Sequence, residues 1–394
     1  MDSSSEEDIL LTATAVCCHL ITSKPKKKWT KGWLKKRYQL SHINLLNELS
    51  LEPSDWRNYL IMDEYTYFKL LELLTPYIVK QDTNMRQAVS PNERLTATLC
   101  FLASGMSYEE LKFQTVISPQ LLGVIIPETC KAILMMPETE AEWRTIAKGF
   151  EERWQFPNCL GAIDGKHVRI VPPPGSIATY YIYKKIFSIV LMACANANYE
   201  IIWCEAGVNG RRSDGGAITE TRFYKKLNNH DSNIPNKKKP QNSTKNLPFV
   251  FVADKAGNLM KPFGKNALTP ERRVYNYRLS RARRVIENVF GIMTRRFRIF
   301  NTAINLSIQR IDLVVLTCCI LHNFLRRSGS NYSDYELFDI DDSTVEENIP
   351  VQGIIPLNVI NGNVSNDAKF VREEYVQYFN GEGAVSWQNE RAFI

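Results

Sequence analysis

Metal-binding cysteine patterns, histidine and long apolar runs are what this 394-residue sequence has little of. Its nine cysteines form no C-x-x-C, and its five histidines (His19, His42, His167, His230 and His322) complete no zinc spacing. The thiol count is odd and two pairs are adjacent, Cys17 with Cys18 and Cys318 with Cys319, which argues for reduced, buried thiols in an intracellular protein. The apolar run 9–21 follows Glu6, Glu7 and Asp8, where a secretory leader carries basic residues, so no leader is expected there. The stretch from Leu313 to Leu321 is too short to span a bilayer, and a mean hydropathy of -0.26 is too low for a multi-span membrane protein. The expectation is a protein neither secreted nor embedded in a membrane. No internal repeat recurs.

What is present reads as a globular chain of two to three domains. Hydrophobic residues make up 44% and charged residues 23%, which supplies a sizeable core and excludes wholesale disorder or a fibrous repeat. Lys plus Arg 49 against Asp plus Glu 42 leaves +7, a modest excess that suits a polyanionic partner. Four stretches differ in character: a basic N-terminal segment (1–56), a helical region (57–150), a β-rich region closing in long helices (151–327), and an acidic linker and C-terminal tail (328–394). Lys and Arg dominate 24–37, with Trp29 and Trp33 interleaved, which reads equally as a nuclear-import or phosphate-binding patch and as a solvated tail. Runs at 159–171, 187–196, 200–208 and 248–254 have strand texture, and the polar stretch 228–246 reads as a surface loop. Thr269 as N-cap with Pro270 at the first position opens a long helix, uninterrupted by Gly or Pro until Gly291. A second helix is expected over about 308–325.

Residues 92–136 divide into three helical units. The break at Ser104-Gly105, a capping box from Ser107 to Glu110, and Ser118 followed by Pro119 mark their ends. Helix, short helix and longer helix is the layout of a helix-turn-helix. The third unit is apolar, contains Pro127, and offers only Gln120 and Lys131 to base edges, so ordinary helical packing accounts for it at least as well.

Three acids carry the sharper chemical signal. Asp164 interrupts an apolar strand, Asp254 ends another, and Glu287 sits mid-helix. A carboxylate in a buried strand is costly unless a metal, a hydrogen-bond network or an arginine compensates it. Carboxylate oxygens suit hard cations such as Mg²⁺, and two such ions flanking a phosphodiester activate the attacking oxygen and stabilise the leaving one. Each acid also has a plain structural reading: Asp164-Gly165 as a hairpin turn, Asp254 as the start of a turn, Glu287 as the i,i+4 partner of Arg283. Around Glu287 crowd Arg272, Arg273, Arg278, Arg281, Arg283, Arg284, Arg295, Arg296 and Arg298, a run that suits a phosphate backbone as well as a solvated face.

In order over 160–326 stand GAIDGKHV, FSIVLMACANANYEIIW, GVNGRRSDGG, LPFVFVAD, LTPERRVYNYRLSRARRVIENVFGIMTRRFRIF and ILHNFLRR. These motifs resemble the PIF/Harbinger family of transposases and the nucleases derived from them, with weaker similarity from about residue 60 and at EYVQYFNGEGAVSWQ. The resemblance implies an α/β fold: an RNase H-like mixed sheet flanked by helices, behind a helical N-terminal region. It implies a DDE triad of Asp164, Asp254 and Glu287 holding Mg²⁺ or Mn²⁺, with Asp214 as a further metal-side acid. Lys166, Arg211, Arg212, Arg283, Arg284, Arg295 and Arg296 are the expected DNA contacts. The activity implied is metal-dependent cutting of DNA phosphodiester bonds, with transfer of the freed 3′-hydroxyl to target DNA. The expected setting is the nucleus, with a cytoplasmic pool, a separate Myb/SANT-like protein as partner, and room for a homo-oligomer. Two departures from the family pattern, Lys255 after Asp254 and a shortened stretch before Met260-Lys261-Pro262-Phe263, support a rival expectation. The rival is a catalytically decayed, domesticated transposase acting as a DNA- or protein-binding factor.

Overall fold

In a computed structural model of the chain, the structure describes residues 32–82, 87–134, 143–182, 185–209, 214–228, 237, 239–240, 243–253, 259–328, 354–356 and 366–393. The first half is helical: α1 (His42–Leu49), α2 (Pro53–Leu60), α3 (Glu64–Ile78), α4 (Pro91–Ser104), α5 (Tyr108–Thr115), α6 (Pro119–Leu134) and α7 (Trp143–Trp154). Side chains near the chain set the ends of these helices. Ser90 and Ser107 each close a capping box, with Glu93 and Glu110 reaching back, which satisfies two orphan N–H groups at each start. Gly105 ends α4 in the left-handed region at φ 70, and a Cβ there would lie 3.0 Å from the Arg298 carbonyl, so only glycine fits.

The strands are β1 (Cys159–Arg169), β2 (Ser188–Ala195), β3 (Ile201–Asn209) and β4 (Val250–Ala253). Helices α8 (Asp214–Glu220) and α9 (Arg222–Asn228) lie between β3 and β4. The spatial order is β3-β2-β1-β4, antiparallel except for the parallel pair β1/β4. The short β5 (Ile354–Pro356) pairs antiparallel with β1 beyond β4. Side chains alternate between two apolar layers, as a sheet buried on both faces requires. Leu160, Ile163, Val190, Met192, Cys194, Phe251 and Ala253 pack with Ala217 and Ile218 of α8 on one face. Ala162, Val168, Ile189, Leu191, Ala193, Val250 and Val252 join the main core on the other.

Two long helices cover that second face. Helix α10 (Pro270–Arg296) packs on β1, β2 and β4, and α11 (Ile308–Arg327) lies against β3 and α6. Thr269 caps α10 as its sequence foretells, accepting from the Arg272 N–H, and the helix continues through Gly291 for five more residues. By length and composition α11 could cross a bilayer, which the shorter apolar core of its sequence does not suggest. Here it is a core helix, with Ile311, Val314, Val315, Cys318 and Leu321 buried. The seven described cysteines are all free thiols.

The expected acidic tail needs correcting over its last part. Helices α12 (Asn366–Phe379) and α13 (Gln388–Ala392) pack along α10. Tyr375 and Phe379 are fully buried, and the Tyr375 hydroxyl donates to the carbonyls of Pro157 at 3.1 Å and Pro248 at 3.0 Å. Helices α12 and α13 therefore belong to the folded core rather than to a C-terminal tail.

Two buried histidines make stability pH-dependent. Fully buried His322 donates from Nε2 to the Tyr199 carbonyl at 2.8 Å, and burial, reinforced by the Arg296 charge, pushes its pKa from 6.5 down to about 3. Burial likewise brings His42 to about 4. The folded chain leaves both neutral where the unfolded chain protonates them near 6.5, so their contribution is complete above that pH and is lost as pH falls toward 4 and 3. Each is expected to remove about 2 kcal/mol between pH 8 and pH 5. Urea midpoints at the two pH values test this, and equal midpoints would refute it.

Candidate active site

Asp164 sits where β1 changes partners. On one side it faces Ala193 of β2. On the other side, among the described residues, β4 pairs with β1 up to Ile163, opposite Ala253, and β5 pairs from Lys166 onward. By alternation Asp164 and Lys166 point to the face covered by α10, as Ala162 and Val168 do.

The carboxylate is nearly buried, 12% exposed, and its Oδ1 accepts the Gly165 N–H at 2.8 Å. Its Oδ2 receives no hydrogen bond but lies 2.9 Å from Nζ of Lys166, an ion pair rather than a well-aligned bond. Lys166, 14% exposed, also holds its ammonium 5.7 Å from the Phe290 ring centroid on α10. It is thus a counter-ion inside the site rather than an open DNA contact.

Glu287 lies one turn before Phe290 on the same helix. It is 41% exposed and ion-paired with Arg283 at 2.9 Å, four residues earlier. The structural reading of its sequence position is therefore realised, alongside its placement over the sheet face that carries Asp164. Asp254 lies outside the described residues, as do Arg211 and Arg212. Asp214 opens α8. Among the described residues no three His, Cys, Asp or Glu side chains come together in a metal-binding group. The donors that are described, two carboxylates each held by one cation, suit a hard divalent ion in kind.

The arginine run of α10 separates into distinct roles. Arg278 is 1% exposed and donates to Gln388 Oε1 at 2.8 Å, to the Gly383 carbonyl at 3.3 Å and to the Gln155 carbonyl. Arg281 donates to Gln155 Oε1 at 3.1 Å and stacks 4.3 Å from the Trp387 ring. Arg272 pairs with Glu373 at 2.7 Å. These three hold the C-terminal helices. Arg296, expected to touch DNA, is buried in the last turn of α10. Arg295 is exposed. Arg284 lies near Tyr199, together with Arg153 and Arg326, and their charges partly oppose the upward pKa shift that burial gives the Tyr199 hydroxyl. Arg326 stacks 5.5 Å from the Tyr199 ring.

That basic cluster at the β2–β3 hairpin was not legible in the sequence, since its members come from three separate helices. The ILHNFLRR motif fixes its position. Asn323 accepts from the Ile201 N–H at 2.8 Å and donates to the Ile201 carbonyl at 2.7 Å, standing in for a neighbouring strand at the β3 edge. Arg327 pairs with Glu200 at 3.1 Å. The candidate helix-turn-helix is present as α4, α5 and α6, with a 92° bend between the last two. Helix α6, however, is packed on α3, α4, α5 and α11, leaving Gln120, Val124, Glu128 and Lys131 exposed.

The sequence, compared with known proteins, matches one family model. A family model described as DDE superfamily endonuclease matches residues 163–323, the stretch from β1 to α11 that holds Asp164 and Glu287. The chain is 25% identical over 210 residues to "Protein ALP1-like" of Arabidopsis thaliana, covering 51% of this chain and 48% of that protein. It is 21% identical over 279 residues to "Putative nuclease HARBI1" of Homo sapiens, covering 68% and 75% respectively, and 21% identical to the Rattus norvegicus protein of the same name. The chain thus spans about half the length of the first relative and three quarters of the others. The resemblance to Harbinger-derived nucleases is borne out. No solved structure matches the chain.

Removing the Asn323 amide leaves two buried backbone groups unpaired. Asn323→Ala is expected to lower the unfolding free energy by about 2–4 kcal/mol. Urea denaturation checks it, and a loss near zero would mean that Ile201 finds water instead.

Proposed function

We propose that this protein is a divalent-metal-dependent DNA endonuclease of the DDE type, with Asp164, Asp254 and Glu287 as its acidic set. The observation that carries this reading is Asp164, a carboxylate on a buried strand face, between the stretches of β1 that pair with β4 and with β5, beneath the helix that bears Glu287. The strand order, with β1 central and parallel only to β4, supports an RNase H-like core. Strand β4 pairs Ala253 with Ile163, one residue before Asp164 in β1. Ala253 N donates to the Met260 carbonyl at 2.9 Å and Met260 N to the Phe251 carbonyl at 3.0 Å, which holds Met260 beside the end of β4.

Asp164, Asp254 and Glu287 would hold Mg²⁺ or Mn²⁺, with Asp214 as a further donor from α8. When bound, such ions polarise the phosphate and stabilise charge on the attacking and leaving oxygens. The protein's own part is to supply the carboxylates on rigid elements and to release two cations. Lys166 and Arg283, freed from Asp164 and Glu287, are placed to meet phosphate oxygens with charge-assisted hydrogen bonds. Arg284 and Arg295 extend the positive surface along α10. Transfer of the freed 3′-hydroxyl to target DNA, a nuclear setting with a cytoplasmic pool, and a Myb/SANT-like partner complete the proposal. A separate DNA-reading partner suits a chain whose α6 shows few polar side chains.

One observation favours the second reading, a decayed binding factor: both described carboxylates already have protein cations as partners. Plasmid nicking in Mn²⁺ separates the two. Wild type is expected to nick, with Asp164→Asn and Glu287→Gln at least about 100-fold slower, a loss typical when transition-state charge stabilisation is removed. Equal nicking by all three would sink the assignment. Absence of nicking, together with no Mn²⁺-dependent rise in melting temperature, would establish the binding factor.

A further inference from the structure

Helix α3 buries Thr66, Tyr67, Leu70, Leu74 and Ile78 on one side. Its opposite side is richer in apolar side chains than the surface that a solvated helix presents. Tyr65 is 74% exposed, Phe68 49%, Leu73 47% and Tyr77 59%, and these large side chains flank the exposed charges Lys69 and Glu72 on one face. Along its centre run Tyr65, Lys69, Glu72 and Pro76, spaced four, three and four apart and therefore on one stripe. Lys69 and Glu72 form no ion pair with each other or with any other described residue.

The order of that stripe is self-complementary. Reversed, Tyr-Lys-Glu-Pro reads Pro-Glu-Lys-Tyr. A second copy of α3 laid antiparallel, with its two-fold axis between Leu70 and Leu71, brings Lys69 level with Glu72 of the second copy, and Tyr65 level with its Pro76. Phe68, Leu73 and Tyr77 flank the seam. Matching a surface to itself across a two-fold axis is what an isologous dimer requires. The geometry points to the exposed face of α3 as a homodimer interface, closed by reciprocal Lys69–Glu72 pairs between two copies of this chain. The inference is independent of the nuclease reading.

A stripe on one helix of about 22 Å offers less than the roughly 800 Å² per partner of a standard interface, so association is expected to vary with concentration between about 1 and about 100 µM. Sedimentation equilibrium of the full chain measures it. Lys69→Glu and Glu72→Lys each set like charges face to face and are expected to weaken the dimer at least about tenfold. The double variant Lys69→Glu/Glu72→Lys restores the pairing with its signs exchanged and is expected to return to within about threefold of wild type. Both side chains are exposed, and unchanged melting temperatures would confirm intact folding. A wild-type monomer across the range, with the face covered by the chain's own N-terminal residues or by another protein, would overturn the inference. So would a dimer indifferent to the single charge reversals.

Discussion

A carboxylate on the inner face of a buried strand cannot stand without positive charge beside it, and Asp164 imposes that demand on the centre of the sheet. An unpaired ion there would be far less stable than in water. The demand is met locally by Lys166, two residues along and therefore on the same face, its ammonium lodged between the carboxylate and the Phe290 ring. Among the described residues, β4 pairs with β1 up to the residue before Asp164, β5 pairs from two residues beyond it, and α10 roofs that face.

The roof has to be rigid if Glu287 is to keep its place. Helix α10 is 27 residues long, and its register is set by Val285, Ile286, Val289 and Phe290, all buried around Glu287. Its first half is braced from the far side by the C-terminal helices, through the buried Arg278 and the Arg281–Trp387 stack. A guanidinium at 1% exposure is tolerable because three oxygens and the Phe379 ring at 4.5 Å receive it. The C-terminal helices therefore act on the site at a distance, by holding the element that carries Glu287.

The strands were legible because their apolar runs are short and bounded, and the caps of α5 and α10 because Ser, Thr and Pro sit at positions with a single local use, whereas the Ser90 cap of α4 went unread. The fate of the arginines was not legible. A run of like charges has the same letters whether its members meet solvent, phosphate or a buried carbonyl. Arg278 and Arg281 are consumed by a segment up to 126 residues away in sequence, and Arg296 is buried. The change of partner along β1 was hidden for a related reason. It involves two strands separated by about a hundred residues, each pairing with part of β1.

The two cations beside the acids bear on both functional readings, and their energetics distinguish them. The Glu287–Arg283 pair is partly exposed, where such pairs contribute little, so it yields easily to a stronger ligand. The Asp164–Lys166 pair is more enclosed, yet a buried ion pair is seldom more stabilising than apolar side chains of the same volume. Stability alone therefore gives no reason for Asp164 and Lys166 in a strand otherwise filled by Leu160, Ala162, Ile163 and Val168. A divalent ion doubles the charge offered by one ammonium at the same distance. Under the nuclease proposal Lys166 balances the Asp164 charge until such an ion takes its place, whereas in a decayed binding factor the Asp164–Lys166 pair stays as it stands.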